Sequence, residues 1–223
     1  MGGRRIDSGA SAGLVIFDCD GVLVDSDRIS LRIQAEALTA IGLSTRYEDC
    51  VRDYLGIGMD ATLEIVEQRL GRPIPDGWVQ ELDAAVRAAF GKELEPVAGV
   101  RAALDSISYP TCIASGSTHA RLRLTLGLTG LYDRFAGRIY SVEDVNRAKP
   151  APDLFLHAAA GMNTRSEHCV VIEDSPAGIA AAKAAGMRAL GFAAETPIER
   201  LRQADATFRD MRQLPVLIES TLG

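Results

Sequence analysis

Residues 14–21 read LVIFDCDG: four apolar residues run directly into two aspartates one residue apart. A short, unbroken apolar run bounded by a turn fits a strand buried on both faces. The aspartates at its end raise the question on which the fold turns. Two carboxylates held together repel each other and resist desolvation. Either a cation offsets them or Asp18 and Asp20 merely close the strand with a polar turn. Gly21 follows at once and permits a bend that aims both carboxylates at one small volume.

Outward from this stretch, similar runs recur: TCIA (111–114), GRIY (137–140), CVVI (169–172) and RALGF (188–192). Helical patterns fall between them. DLFLHAAAGM (153–162) is one, and PAGIAAAKAAG (176–186) is another, with Ser175 as N-cap, Pro176 in the first turn and Gly186 at the end. The alternation predicts an α/β fold, a Rossmann-like parallel sheet flanked by helices. Residues 27–94 break the rhythm with helices alone: ISLRIQAEALTAIG (29–42), MDATLEIVEQRLG (59–71) and WVQELDAAVRAAFG (78–91). Leu31, Ala35 and Leu38 share one face, as do Leu63, Val66 and Leu70. The expected organisation is a leader over 1–12, an α/β core from 13–26 and 95–223, and an inserted helical domain over 27–94. Its hinges fall near Ser26 and EPVAG (95–99).

The 223 residues are 47% hydrophobic and 24% charged, enough for one good-sized core. A net charge of −6 speaks against a nucleic-acid partner, which recruits a basic face. Cys19, Cys50, Cys112 and Cys169 are far apart and lack metal-site spacing; three of them lie in or beside apolar stretches and read as buried free thiols of a reducing compartment. The start, MGGRRIDSGASAG, lacks the apolar core of a signal peptide, and Ile6 spoils the myristoylation pattern after Gly2. No run approaches the roughly 20 apolar residues of a membrane span. A cytoplasmic protein without a membrane partner is expected.

In an open α/β sheet, ligands bind beyond the carboxyl ends of the strands. After LVIF stand Asp18 and Asp20; after TCIA, Ser115-Gly116-Ser117; after CVVI, Glu173-Asp174-Ser175; and before the helix at 153 lies Lys149-Pro150. Asp18, Asp174 and Glu173 offer hard oxygens suited to Mg²⁺. Ser115, the N–H groups of the Ser-Gly-Ser turn and Lys149 offer donors and charge to a phosphoryl group. Each residue alone has a blander reading. Ser115 also reads as a helix N-cap, Lys149 as a solvated lysine, and Glu173-Asp174 as complements to a helix dipole. Cys19 reads as a buried spectator. His119, His157 and His168 receive no catalytic role, although His119 lies close to Ser115 in sequence.

Together the four motifs, in this order and over about residues 14–210, resemble the haloacid dehalogenase-like hydrolase superfamily. The helical insert after the first motif resembles the cap of its subgroup with β-phosphoglucomutase and sugar-phosphate phosphatases. The resemblance implies a Mg²⁺-dependent, often monomeric enzyme that acts on a small phosphorylated molecule through an aspartyl-phosphate. It implies Asp18 as nucleophile, Asp20 as acid and base with its backbone carbonyl on the metal, and Ser115, Gly116, Ser117 and Lys149 holding the phosphoryl group. It further implies Asp174 and Glu173 at the metal. An aspartate at position 20 points to phosphoryl transfer, because a halide leaving group needs no acid. Specificity is expected from Gly56 to Thr62, with Gly56 and Met59, and from the helix around Arg87. A sugar phosphate or sugar-acid phosphate is the expected substrate. The alternatives are a mutase and a non-catalytic phosphate-binding member. Ser30 and Met59 stand where the mutase pattern has a histidine and an arginine, which favours hydrolysis. Arg28, Arg52 or Arg87 would have to supply the missing charge in a mutase.

Overall fold

The computed structural model describes residues 13–223, so the expected leader at 1–12 lies outside the described residues. Six strands form one parallel sheet: β1 (Leu14–Phe17), β2 (Thr111–Ser115), β3 (Ile139–Ser141), β4 (Cys169–Glu173), β5 (Arg188–Phe192) and β6 (Ala206–Phe208). Their order is β3-β2-β1-β4-β5-β6. The chain moves outward from β1 to β3, then crosses back to β4 on the other side of β1. The crevice that opens at such a reversal is where α/β folds bind ligands. Here it lies between the ends of β1 and β4.

Register explains why the motifs converge. Phe17 pairs with Ile113 on one side and Ile172 on the other. The next residue of each strand therefore stands at the same level: Asp18, Ala114 and Glu173. Asp18 N donates to Ile172 O at 2.9 Å, which carries the pairing up to the carboxyl edge of the sheet.

Both sheet faces are covered. Val15, Phe17, Ile113, Val170 and Ile172 face one apolar cluster, while Leu14, Ile16, Cys112 and Val171 face the other. The alternation is that of a pleated strand, and burial on both sides produces the unbroken apolar runs of the sequence. Burial of each large side chain contributes about 2 kcal/mol. All four cysteines are buried and free.

Helices α1 (Ser26–Ala40), α2 (Tyr47–Asp53), α3 (Met59–Leu70) and α4 (Trp78–Glu93) lie between β1 and α5 (Val100–Ser106). The face of Leu31, Ala35 and Leu38 is buried in α1. In α3, Val66 is buried with Thr62, whereas Leu63 and Leu70 only flank the cluster. The two chain crossings at the insert are tied together: Asp25 N donates to Glu95 O and Val97 N to Leu23 O, each at 3.0 Å. The remaining helices are α6 (His119–Leu128), α7 (Tyr132–Phe135), α8 (Asp153–Gly161), α9 (Pro176–Ala184) and α10 (Leu214–Leu222). Ser175 caps α9 as expected, its Oγ accepting from Gly178 N at 3.0 Å. Two strands depart from expectation. Pairing in β3 begins at Ile139 rather than 137, because Gly137 is still in a left-handed turn. β6 has only three residues, too few to leave a periodic signal. No helix among the described residues is long and apolar enough to cross a membrane.

Candidate active site

Asp18 sits where β1 ends, Lys149 in the loop before α8, and Glu173 and Asp174 where β4 ends. Lys149 Nζ donates to Asp18 Oδ1 at 2.7 Å, Glu173 Oε1 at 2.6 Å and Ala114 O at 3.1 Å. Burial would lower the lysine's pKa, but the two carboxylates outweigh it and hold it above the usual value. The blander alternative of a solvated lysine does not hold: its side chain is only 10% exposed and fully engaged. Glu173 Oε2 accepts from Ser175 N and Oγ, both at 2.9 Å, so this buried carboxylate fixes Lys149 on one side and the start of α9 on the other.

Asp18, Glu173 and Asp174 each place a carboxylate oxygen within 4.8 Å of the others. Three buried acids thus share one ammonium. Burial and the neighbouring acids raise the Asp18 carboxyl to about 7, against the pull of Lys149. Burial, followed by Asp27, Glu173 and Asp18, raises Asp174 well above the carboxylate range. An excess of buried hard oxygen donors is what a divalent cation such as Mg²⁺ satisfies, so the residues fit such an ion. Space also matches this arrangement. A Cβ at Gly21 (φ 72°) would overlap Asp174 Oδ2, and one at Gly178 would overlap Glu173.

Asp20 belongs to a different arrangement. Its carboxylate stands outside the acidic trio and accepts from Ser26 Oγ at 2.5 Å, Ser117 Oγ at 2.6 Å and Arg121 Nη2 at 3.2 Å. Burial would raise its pKa, but Arg121 and the two hydroxyls prevail and lower it. The two aspartates, separated by a single residue, are therefore shifted in opposite directions. Ser115 is buried at the end of β2, and its Oγ accepts from Ser117 N at 3.2 Å. The N-cap of α6 is Thr118 rather than Ser115, because the chain makes one further turn before the helix begins. Ser117 Oγ is committed to Asp20.

A cavity of about 520 Å³ brings together Asp18, Asp20, Ser115, Gly116, Ser117, Lys149, Glu173 and Asp174 from the sheet edge with Gly56 and Met59 from the insert. Arg87 is not brought there: it pairs with Asp83 at 2.7 Å on the exposed side of α4. Arg28 pairs with Asp25, and Arg52 with Asp49 and Asp53. His119 likewise turns away, to Asp144 at 2.9 Å.

The sequence reading missed Arg121 and Asp27. Arg121 rises from the first turn of α6, stacks 5.0 Å from the Phe90 ring of α4 and ends on Asp20. Asp27, in the first turn of α1, lines the same cavity, and burial followed by the Asp20 charge raises it to about 7. Each had one signal, proximity to a motif: Asp27 stands seven residues beyond Asp20, and Arg121 four residues beyond Ser117.

The haloacid dehalogenase-like hydrolase family model matches residues 13–186. A 6-phosphogluconate phosphatase of Escherichia coli K12 is 31% identical over 207 residues, which cover 91% of this chain and 93% of the relative. A fructose-1-phosphate phosphatase of the same organism is 31% identical over 180 residues, 80% of this chain and 95% of the relative. A haloacid dehalogenase-like protein of Agrobacterium tumefaciens superposes with a TM-score of 0.89 at 34% identity, covering 95% of this chain and 100% of the other. The chain belongs to the haloacid dehalogenase-like hydrolases.

Proposed function

We propose that this hydrolase is a phosphatase of small phosphorylated sugars or sugar acids, working through a phosphoryl group carried on Asp18. The observation that carries the reading is the convergence of Asp18, Lys149 and the Glu173–Asp174 pair at the reversal of strand order, with Asp20 beside them but in a separate hydrogen-bond network. The phosphatase names of two relatives support it. Residues 27–94 act as a cap over a core built from 13–26 and 95–223.

Asp18, Glu173 and Asp174 would hold Mg²⁺, with the Asp20 carbonyl as a further donor; such an ion supplies charge that lets a carboxylate approach a phosphate. The Asp18 carboxylate forms the new bond to phosphorus as the bond to the alcohol oxygen breaks. Lys149 holds Asp18 in place and offsets charge beside the phosphoryl group, whose oxygens Ser115 and Gly116 would hold. The network that lowers the Asp20 pKa leaves it ionised beforehand, so Asp20 takes up a proton from the arriving ester monoanion, gives it to the departing alcohol, then takes one from the water that attacks the phosphoryl group on Asp18 and returns it to the departing phosphate. The proton count closes over the two steps. Ser26, Ser117 and Arg121 position Asp20 throughout, and closure of the cap over the site limits other water.

Hydrolysis is favoured over a mutase reaction. Ser30 and Met59 carry no charge, and the arginines that a second phosphate would require are committed elsewhere. The test is phosphate release from a panel of sugar phosphates with Mg²⁺, beside an isomer assay and binding of BeF₃⁻. Release of phosphate is expected. An isomer without phosphate would replace the reading with the mutase, and neither turnover nor a BeF₃⁻ adduct would leave a non-catalytic member.

A further inference from the structure

His119 stands two residues beyond Ser117 yet turns away from the site, and the segment it turns to carries no role so far. β3 runs into Ser141-Val142-Glu143-Asp144, a serine followed three residues later by an acid. That is the spacing of a capping box, and a box forms. Ser141 Oγ accepts from Glu143 N at 3.1 Å, and Asp144 Oδ2 accepts from Ser141 N at 2.8 Å. Ser141 pairs with Ser115 in the parallel register of β3 and β2, so the box stands beside the Ser115–Ser117 turn.

Three contacts cross from the box to that turn and to the helix it opens. Ser141 Oγ, fully buried, donates to Ser117 O at 2.7 Å. Glu143 Oε2 accepts from His119 N, the first N–H of α6, at 2.7 Å. Asp144 Oδ1 pairs with His119 Nε2 at 2.9 Å. Burial would raise the Asp144 carboxyl, but Ser141 N and His119 outweigh it and keep it low. From the far end of the same segment, Lys149 donates to Ala114 O at 3.1 Å. The carbonyls on either side of the Ser115–Gly116 step are thus both held by side chains of residues 141–149. Beside Gly116 itself the space is open, since a Cβ there would meet nothing within 4 Å. Glu143 is exposed and the His119 side chain is 48% exposed, so these bonds add little to stability. What they do is fix the path of the backbone that meets the phosphoryl group.

We propose that Ser141, Glu143 and the His119–Asp144 pair are positioning residues, a clamp that holds the Ser115–Ser117 turn in the shape that grips the phosphoryl group. The proposal rests on the phosphatase reading and adds to it residues that touch neither substrate nor metal. The phosphoryl group is common to all esters, so loosening the clamp weakens binding of every ester, and of inorganic phosphate, by the same factor.

The test measures kcat and KM of the full chain with Mg²⁺ on p-nitrophenyl phosphate and glucose 6-phosphate, and the Ki of inorganic phosphate. The double variant Glu143→Ala/His119→Ala is expected to raise the Ki and both KM values by about fivefold, with kcat within about twofold. Glu143→Ala alone should show about half of that rise. Glu143→Gln keeps an oxygen that accepts from His119 N, and is expected to stay within about twofold of the parent throughout. A Ki unchanged in the double variant, or a loss confined to one of the two esters, overturns the clamp and leaves the phosphatase reading standing. Glu143→Gln as damaging as Glu143→Ala overturns it as well, because the bond to His119 N would then not be what matters. A parent that releases phosphate from neither ester overturns the phosphatase reading and, with it, the clamp.

Discussion

The strand-end site and the cavity under the helical insert touch, yet they are built by opposite rules. At the strand ends nearly every polar atom is charged, buried and bonded: Lys149 alone holds Asp18, Glu173 and the Ala114 carbonyl. Under the insert, around a second cavity of about 500 Å³, the polar groups are mostly neutral, Gln34 and Gln80 among them. The first region has its charges fixed in advance, which suits a reaction whose charge develops at one place whatever the alcohol. The second offers neutral donors and acceptors, which suits recognition of a variable group. Mutations in the two regions should therefore fail in different ways.

The largest effect is expected at Asp18. Asp18→Asn should lower turnover on every ester by about 10³-fold or more, since the nucleophile is lost for all alcohols alike. Far-ultraviolet circular dichroism should be unchanged, because the side chain lies at the end of β1 rather than in the apolar layers. Activity within tenfold of the parent would remove Asp18 from the nucleophile role.

Asp20→Asn sharpens the contrast, because its effect should depend on the alcohol. Loss of general acid catalysis costs about 10²–10⁴-fold where the leaving group needs a proton. Nitrophenolate leaves without one, so its release in the first turnover should fall far less than that of a hexose phosphate. Equal first-turnover losses for the two esters would count against the acid role.

Asp174→Asn separates cation binding from folding. In the protein without a divalent cation, three buried carboxylates face one ammonium, and the Asp174 carboxyl is raised because its ionised form is disfavoured there. The variant without added metal is expected to melt no lower than the parent, and about 2 °C higher if one carboxylate's repulsion is worth about 1 kcal/mol. Mg²⁺ should raise the melting temperature of the parent and have little effect on the variant. A variant that melts well below the parent without metal, or gains as much from Mg²⁺, would show that the trio is not a cation site.

The same contrast governs what could be read from the sequence. The strand-end residues were legible because each follows an apolar run whose period and length mark a buried parallel strand. A parallel register then brings residues 18, 114 and 173 to one level. Asp20's surroundings were not legible, because Ser26, Ser117 and Arg121 reach it from three separate segments. The insert was legible only as helices. Amphipathic spacing places Leu31, Ala35 and Leu38 inward, but it does not say that Arg87 turns to Asp83 while Gln80 and Val86 face the cavity. Such choices depend on how whole helices pack, and that information is spread over the chain.

The smallest effect should come from the contacts that join the two regions. Arg200, in the turn after β5, donates from Nη1 to Val51 O at 3.3 Å and from Nη2 to Leu55 O at 3.1 Å. It therefore caps the end of α2 from the core side. Tyr47 at the start of α2 donates to Glu195 Oε2 at 2.5 Å. These partly exposed bonds hold the Gly56 loop against Ser175, where the Gly56 Cβ position lies 3.3 Å from the Ser175 side chain. Neither touches the strand-end charges. Arg200→Ala should therefore raise KM by about threefold and leave kcat within about twofold, because it loosens closure without disturbing the chemistry. Tyr47→Phe should do the same more weakly. A fall in kcat with KM unchanged would mean that the latch acts on the reacting groups, and the separation between the two regions would then be lost.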